Sequence, residues 1–238
     1  MSGELFGVLL CVGPASGFAP GVSARWLLPV GGRPAVHSAL AVLRACGAED
    51  AVVIIGDDGA AEVMRFIGTG AAHGLRAAFA HVDEAAGEAS GLLVAEGRVG
   101  RGRVAVIIGD TVLSDASEAG TAARAYAGQP HGAMVLLAHE GMERRPVQPA
   151  FGSDGRIAAV VEAGDDPLLG FAGVYLLDGR AWGIIRQLGP GAASLPDVVA
   201  VYASAGDLTH RELSCWRGDA SSPAALLRAS ALAMRDAP

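Results

Sequence analysis

A Rossmann-like three-layer α/β/α domain with a mainly parallel mixed sheet is the fold that the sequence predicts. Short continuous apolar runs alternate with segments whose apolar residues recur at helical spacing. Runs rich in Val and Ile indicate strands buried on both faces, and the intervening helices indicate parallel pairing. A length of 238 residues suits a single domain that spans residues 1–238.

Strands and helices alternate through the first half of the chain. Strands are expected at residues 6–12, 51–55, 75–81 and 103–108. Helices are expected at residues 34–46, 60–67 and from 89 to 95. The first of these helices ends at Gly47, a typical stop signal.

The second half of the chain has a less regular pattern. Strands are expected at residues 133–138, 157–162, 173–177 and 209–215, and helices at 181–188, 196–203 and 223–234. Residues 141–155 show the least regular pattern and are predicted to form a loop over one end of the sheet.

Charge and composition exclude several classes of partner. A net charge of −7 repels phosphate backbones, so we expect no nucleic-acid partner. No apolar stretch reaches the roughly 18 residues that span a bilayer, and the N-terminus lacks a signal-peptide pattern. Cys11, Cys46 and Cys215 are widely spaced and are interpreted as small buried residues of a cytoplasmic protein. The sequence leaves open whether the chain forms a homo-oligomer.

The turn after the first predicted strand is a candidate phosphate site. In an open parallel sheet, ligands bind beyond the carboxyl ends of the strands. Residues 13–17, GPASG, follow such an end, and backbone N–H groups in a glycine-containing turn can surround a phosphate. The alternative is a plain tight turn, because the pattern is neither a dinucleotide fingerprint nor a P-loop.

Two aspartates are candidate metal ligands. Asp110 follows the predicted strand at 103–108, where a carboxylate can hold Mg²⁺ against phosphate oxygens. Asp219 precedes the terminal helix and is the candidate second ligand. The alternatives are that Asp110 caps the turn that follows it and that Asp219 is an acid at a helix N-terminus.

Several segments are similar to motifs of one known family, the glucose-1-phosphate thymidylyltransferases and related sugar nucleotidyltransferases. Residues 27–34, LLPVGGRP, resemble the family's L-L-P-V-G-G-K-P. Residues 67–75, IGTGAAHGL, are similar to G-D-G-x-x-W-G-L, and residues 171–175, FAGVY, to T-G-x-Y. Residues 109–110 match the family's strand-end G-D. The resemblance covers almost the whole chain and implies the nucleotide-diphospho-sugar transferase fold.

The resemblance also implies a reaction and a set of site residues. The reaction transfers a nucleoside monophosphate from a nucleoside triphosphate to a sugar 1-phosphate, with Mg²⁺ and with loss of pyrophosphate. The implied roles are metal binding by Asp110 and Asp219, phosphate contact by Arg25 at a lysine position of the family, nucleotide contact by Gly13, Gly17 and Gly87, and sugar contact by Glu162 and Gly173. The family's W-x-D is offset by one residue here, from Trp216 to Asp219.

Departures from the family pattern fall on the charged positions. Gly17 stands where the family's triphosphate-binding arginine belongs, and Ala163 replaces the lysine of E-K-P. Residues 192–194 replace the acidic E-L-E, Glu88 adds a negative charge, and residues 82–83 replace a base-reading glutamine. Each lost charge-assisted phosphate contact costs about 1.5–3 kcal/mol. We therefore expect low thymidylyltransferase activity and weak base selectivity. The alternative is a non-catalytic or repurposed member that binds a sugar, a nucleotide or a partner protein.

Overall fold

A computed structural model of the chain describes residues 5–13, 18, 22, 24–83, 87–139, 147–163, 169–189 and 193–236. The strands, in chain order, are β1 Phe6–Cys11, β2 Pro29–Val30, β3 Arg33–Pro34, β4 Asp50–Ile55, β5 Arg76–His81, β6 Val104–Ile108, β7 Val112–Leu113, β8 Ala133–His139, β9 Val147–Phe151, β10 Ile157–Glu162, β11 Leu169–Leu177, β12 Leu208–Glu212 and β13 Arg217–Gly218. The α-helices are α1 Ala35–Ala45, α2 Ala60–Ile67, α3 Gly87–Val99, α4 Ser117–Ala127, α5 Ala181–Leu188, α6 Leu195–Ser204 and α7 Pro223–Arg235.

A seven-stranded sheet organises the chain, with the strand order β12-β8-β11-β6-β1-β4-β5. Strand β1 pairs in parallel with both β4 and β6, and β12 pairs in parallel with β8. Only β11 runs against its neighbours β6 and β8 in this sheet. The predicted mainly parallel mixed sheet is therefore confirmed. Because β6 lies between β1 and β11, its carboxyl end opens at the middle of the sheet.

Side chains on alternate strand positions pack into helix layers on the two faces of the sheet. Leu9 and Ile107 belong to a buried cluster with residues of α1, α2 and α4. Val8 and Val106 belong to a second cluster with residues of α3, α5 and α6. Each buried side chain of this size contributes roughly 1.5–3 kcal/mol. Burial on both faces explains why the central strands are apolar at every position.

The prediction of a loop at residues 141–155 was wrong for its second part. Residues Val147–Phe151 form β9, which pairs antiparallel with β10, while residues 141–146 lie outside the described part of the chain. A turn connects the two strands, and in it the Gly152 N–H bonds the Arg156 carbonyl at 2.8 Å. Pro149 and short polar interruptions obscure the strand pattern in the sequence. A proline is tolerated in β9 because a two-stranded ribbon leaves one edge unpaired.

Helix α4 was not predicted from the sequence. It consists largely of small residues, SEAGTAARAYA, which give only a weak apolar periodicity. Its start is stabilised by the Asp115 carboxylate, which accepts a 2.8 Å hydrogen bond from the Ser117 N–H. Close packing explains the small residues, because a Cβ at Gly120 would lie 2.6 Å from the Ala45 carbonyl oxygen of α1.

The three cysteines are free thiols; Cys11 and Cys46 are buried and Cys215 is half-buried. Among the described residues, no three His, Cys, Asp or Glu side chains are grouped closely enough to hold a metal ion by themselves. Over the same residues, none of the helices combines the length and the apolar character needed to cross a membrane.

Candidate active site

The position of Arg25 follows from a tight backbone contact made by the residue that precedes it, Ala24. Ala24 adopts a left-handed conformation with φ 56°, the only non-glycine residue to do so among those described. It lies directly against Gly59, where a Cβ would be 2.3 Å from the Ala24 backbone. This contact starts the short 3₁₀ turn Arg25–Leu27 and directs the Arg25 side chain toward the end of β1. There a Cβ on Gly13, which has φ 107°, would lie 3.6 Å from Nη2 of Arg25.

Arg25 and Asp110 form a buried ion pair at the carboxyl end of β6. Nη1 of Arg25 lies 3.2 Å from Oδ2 of Asp110, and the two side chains are 10% and 5% exposed. The guanidinium carbon also lies 3.9 Å from the centre of the Trp26 ring. Nε of Arg25 is buried and has no hydrogen-bond partner among the described residues. The structure thus brings Gly13, Arg25 and Asp110 together, and their functional roles stay a prediction.

Cys11 lies directly behind this ion pair. A Cβ on Gly109 would approach its Sγ to 2.6 Å. Burial, and then the negative charge of Asp110, raise the pKa of the Cys11 thiol far above its ordinary value. The thiol therefore stays protonated and is unsuited to act as a nucleophile.

Asp219 reaches the same end of the sheet through the short pairing of β13 with β7. Gly218 pairs with Val112, so Asp219 lies beside the segment that follows Asp110. One carboxylate oxygen of Asp219 accepts hydrogen bonds from the backbone N–H, at 3.0 Å, and the hydroxyl of Ser221. The other lies 2.6 Å from Nη1 of Arg217. Asp219 therefore binds Ser221 in the turn before α7, whose N-cap is Ser222, and its role as a metal ligand stays a prediction.

Gly173 lies on β11 against the segment after β6. It has φ 82°, and a Cβ there would lie 2.3 Å from Oγ1 of Thr111, so only glycine fits. The Thr111 hydroxyl is fully buried and has no hydrogen-bond partner among the described residues. A buried polar atom without a partner is costly, and such atoms concentrate at sites that act on ligands.

Arg217 is the site residue that the sequence analysis missed. Its side chain is only 12% exposed, its Nη1 pairs with Asp219, and its Nε donates a 3.4 Å hydrogen bond to the carbonyl of Ala172. These contacts hold a second guanidinium beside Gly173. The available signal was the one-residue offset between Trp216 and Asp219, which inserts an arginine into this segment.

The other predicted site residues lie on other elements or outside the described residues. Glu162 is exposed at the end of β10, opposite Val147, on the two-stranded ribbon. Gly87 begins α3, which packs over β1 and β4. Gly17, Arg144, Arg145 and Ala192 lie outside the described residues, so their predicted roles and replacements have no structural account.

The carboxylates of this site match the ligand preference of Mg²⁺. That ion takes oxygen ligands and is commonly held by one or two carboxylates together with substrate phosphates. Asp110 and Asp219 are both buried and lie at neighbouring strand ends. Each contacts an arginine, so the ion fits when phosphate oxygens take over the contacts of Arg25 and Arg217.

Comparisons with known proteins point to one family, although no protein-family model matches the chain. The glucose-1-phosphate thymidylyltransferase of Neisseria meningitidis serogroup A is 28% identical over 211 residues, which are 85% of this chain and 73% of that protein. A crystal structure from Bacillus anthracis, of a protein assigned as a glucose-1-phosphate thymidylyltransferase and bound to sucrose, superimposes with a TM-score of 0.89. It is 30% identical, and the match covers 99% of this chain and 97% of that one.

A UDP-glucose pyrophosphorylase complexed with UDP-glucose superimposes with a TM-score of 0.79 over 98% of this chain and 100% of that one. At 16% identity this likeness supports the fold alone. The fold, the motifs and the Bacillus anthracis structure agree with one another. The chain belongs to the sugar-1-phosphate nucleotidyltransferase family.

Proposed function

We propose that the protein transfers a nucleoside monophosphate from a nucleoside triphosphate to a sugar 1-phosphate. The buried Arg25–Asp110 pair beside the Gly13 turn carries this proposal. A guanidinium and a carboxylate at the carboxyl end of a central strand suit a ligand that brings phosphates and a divalent cation. Family membership supports the same reaction and does not favour a non-catalytic role.

The reaction is an in-line displacement at phosphorus. An oxygen of the sugar phosphate forms a bond to the α-phosphorus of the triphosphate. The bond from that phosphorus to the oxygen bridging the α- and β-phosphates breaks, and pyrophosphate leaves. Such chemistry depends on positioning and on neutralising negative charge. Arg25 is proposed to supply positive charge toward the triphosphate, beside Gly13 at the end of β1.

Asp110 and Asp219 are proposed to hold Mg²⁺ when the triphosphate binds. The ion neutralises phosphate charge and favours departure of the pyrophosphate. The proposed nucleotide contacts are Gly13, Gly17 and Gly87, and the proposed sugar contacts are Glu162 and Gly173. Free thiols at all three cysteines support the cytoplasm as the proposed compartment.

Arg217 is proposed to contact the phosphate of the sugar 1-phosphate. Ala163 removes the lysine that the family pattern has for this purpose. The Arg217 guanidinium lies next to Ala172 and the proposed sugar residue Gly173, on the same side as Asp219. An arginine there can bind a phosphate through two parallel N–H donors. The basic side chain of Arg217 on β13 would thus compensate for the lysine that Ala163 replaces after β10.

A pyrophosphate-release screen tests the proposed function. Purified protein with Mg²⁺ is combined with each common nucleoside triphosphate and a panel of sugar 1-phosphates, with Asp110→Asn as the inactive control. At least one pair should turn over, and no base should be preferred by more than about tenfold, or 1.4 kcal/mol. Nucleotide binding without pyrophosphate release from any pair would instead establish the non-catalytic alternative. Turnover of dTTP and glucose 1-phosphate above about 1 per second would show that the substituted positions are fully compensated.

A further inference from the structure

A groove lined by basic side chains lies on the outer side of the α1 layer. It encloses about 610 Å³ and is lined by His37, Ala41, Arg44, Ala45, Ala72 and His73. Four of these residues belong to α1 and two to the 3₁₀ turn Ala71–His73. None of them belongs to the candidate active site, so this "α1 groove" is a separate surface.

The lining of the α1 groove is uniformly basic or apolar. It contains two imidazoles and one guanidinium and no carboxylate. Burial, and then the nearby His73 and Arg33, lower the pKa of His37 below its ordinary value of 6.5. Both neighbours that lower this pKa, His73 and Arg33, are basic side chains. The chain has a net charge of −7, so the α1 groove is a local concentration of basic side chains that attract anions.

The basic groups are held in place by packing. The rings of His37 and His73 meet edge to face with centroids 5.7 Å apart, and Phe66 of α2 lies 5.5 Å from the His73 ring. The His73 N–H bonds the Gly70 carbonyl at 2.8 Å, which fixes the turn. A Cβ on Gly74 would lie 3.1 Å from Nε of Arg44, so the guanidinium rests against bare backbone. Preorganised donors lose less entropy when a ligand binds.

We propose that the α1 groove binds a divalent tetrahedral oxyanion, in the form of the phosphate group of a small phosphorylated molecule. Arg44 offers the planar pair of donors, His37 offers a ring N–H donor from the same helix, and His73 offers one from the 3₁₀ turn. A divalent metal ion is disfavoured because Arg33 and Arg44 repel it and because the described residues supply only two ligands here. The site goes beyond the proposed transfer reaction and does not depend on it.

Histidine NMR tests the proposal without any activity assay. The chain has six histidines, and the signals of His37 and His73 are assigned with His37→Asn and His73→Asn. Sulfate is the first probe, because its charge is constant between about pH 5 and pH 8. An anion favours the protonated ring, so sulfate should raise the pKa of His37, and sulfate affinity should increase as the pH falls. Inorganic phosphate, pyrophosphate and glucose 1-phosphate then distinguish a free oxyanion from a phosphorylated molecule.

Matched variants separate the α1 groove from the active site. Arg44→Gln should weaken sulfate binding at least about tenfold, whereas Arg156→Gln, on the exposed β9–β10 turn, should leave it unchanged. Asp110→Asn should also leave it unchanged. The proposal is overturned if sulfate and phosphate shift neither histidine signal, or if Arg44→Gln and Arg156→Gln bind sulfate equally. Tighter binding of glucose 1-phosphate than of sulfate, abolished by Arg44→Gln, would support the phosphorylated molecule.

Discussion

The strand ends form two opposite edges of the seven-stranded sheet, and both contain aspartate–arginine contacts. The polar atoms are hydrogen-bonded more fully at one of these edges than at the other. At the edge where β11 ends and β8 begins, Asp178 accepts hydrogen bonds from the Gly132 N–H and the Tyr202 hydroxyl, both at 2.7 Å. It also accepts from the N–H and Nε of Arg180, each at 3.0 Å. These four donors all contact one carboxylate, so we call this the "paired edge".

The opposite edge, at the carboxyl ends of β1 and β6, holds the Arg25–Asp110 pair at the longer distance of 3.2 Å. Nε of Arg25 and Oγ1 of Thr111 are buried without partners among the described residues. No side-chain atom of the paired edge shares this condition in the described part of the chain. The difference teaches that one edge satisfies its buried polar atoms within the protein, whereas the other leaves buried polar atoms without partners, as the proposed binding of phosphates and a cation requires.

The paired edge joins three loops into one network. Arg180 extends from Asp178 to Asp207, with Nη1 2.7 Å from the carboxylate, and its guanidinium carbon lies 5.3 Å from the centre of the Tyr202 ring. His131 lies 3.2 Å from the other oxygen of Asp207. The loops before β8, after β11 and before β12 are thereby linked.

Asp178→Asn should produce the largest effect and should act on stability. The amide keeps one acceptor oxygen and places an NH₂ group against the donors of Gly132, Tyr202 or Arg180. Removing one partner of a buried, hydrogen-bonded charge typically costs about 3–5 kcal/mol. Urea unfolding should show this loss in the free energy of unfolding, with nucleotide affinity unchanged below the transition. A loss under about 1 kcal/mol would contradict the structural role of the paired edge.

Asp110→Asn should affect turnover more than stability, the reverse of Asp178→Asn. Pyrophosphate release should fall at least about 100-fold, because a charged group that acts on developing phosphate charge is lost. The free energy of unfolding should fall by less than in Asp178→Asn, because the 3.2 Å contact with Arg25 is longer than the 2.7 Å hydrogen bonds that Asp178 accepts from Gly132 and Tyr202. The comparison of both variants by unfolding and by turnover is the sharpest test of the difference between the edges. Equal stability losses at positions 110 and 178 would remove it.

Arg217→Gln should raise the KM for the sugar 1-phosphate about tenfold or more, as expected for one lost charge-assisted contact. The KM for the nucleoside triphosphate should change much less, because Arg217 contacts the Ala172 carbonyl beside the proposed sugar residue Gly173. Arg217→Lys should restore part of the affinity. Equal changes in both KM values would mean that Arg217 acts through Asp219 alone.

The smallest expected effect is on the pH dependence of stability. Burial raises the pKa of Asp178, but the hydrogen bonds from Gly132, Tyr202 and Arg180 together lower it by more. The pKa therefore lies below its ordinary value. The contribution of Asp178 is therefore present above its unfolded pKa of about 3.9 and is lost as the pH falls through the folded pKa. Asp178→Asn should flatten the loss of stability on acidification below that value.

Asp50→Asn is the matched control for the acid titration. A hydrogen bond from Arg76 also lowers the pKa of Asp50, but this ion pair is exposed and screened by solvent. Asp50→Asn should flatten the acid curve less than Asp178→Asn. The reverse order would show that the buried network does not dominate acid stability.

Local patterns in the sequence were sufficient for the central architecture. The apolar runs of β1, β4, β6 and β8 predict buried strands because a side chain on either face meets a helix layer. Asp110 could be assigned to the carboxyl ends of the parallel strands because it directly follows one such strand, where ligands bind in open parallel sheets. The segment around Gly13 was identified from its place after the first strand, and the segment around Gly173 through a resemblance to a family motif.

Pairing between distant segments could not be predicted from those patterns. Strand β9 depends on a ribbon with β10, and β11 runs antiparallel because of how the chain returns to β6. Neither direction nor partner is encoded in the period of apolar residues, because both depend on contacts across many residues of chain.

The charged contacts of the site show the same boundary between local and long-range information. Residue type and position made Asp110 and Asp219 candidates without the structure, and the family resemblance added Arg25. Only the folded chain placed Arg25 against Asp110, 85 residues away, and Arg217 against the backbone of Ala172, 45 residues away. Short-range sequence determines where strands and turns form, because steric preference and apolar period act locally. Which charges then meet is decided by tertiary packing, since only packing sets the distances and the burial on which electrostatic energies depend.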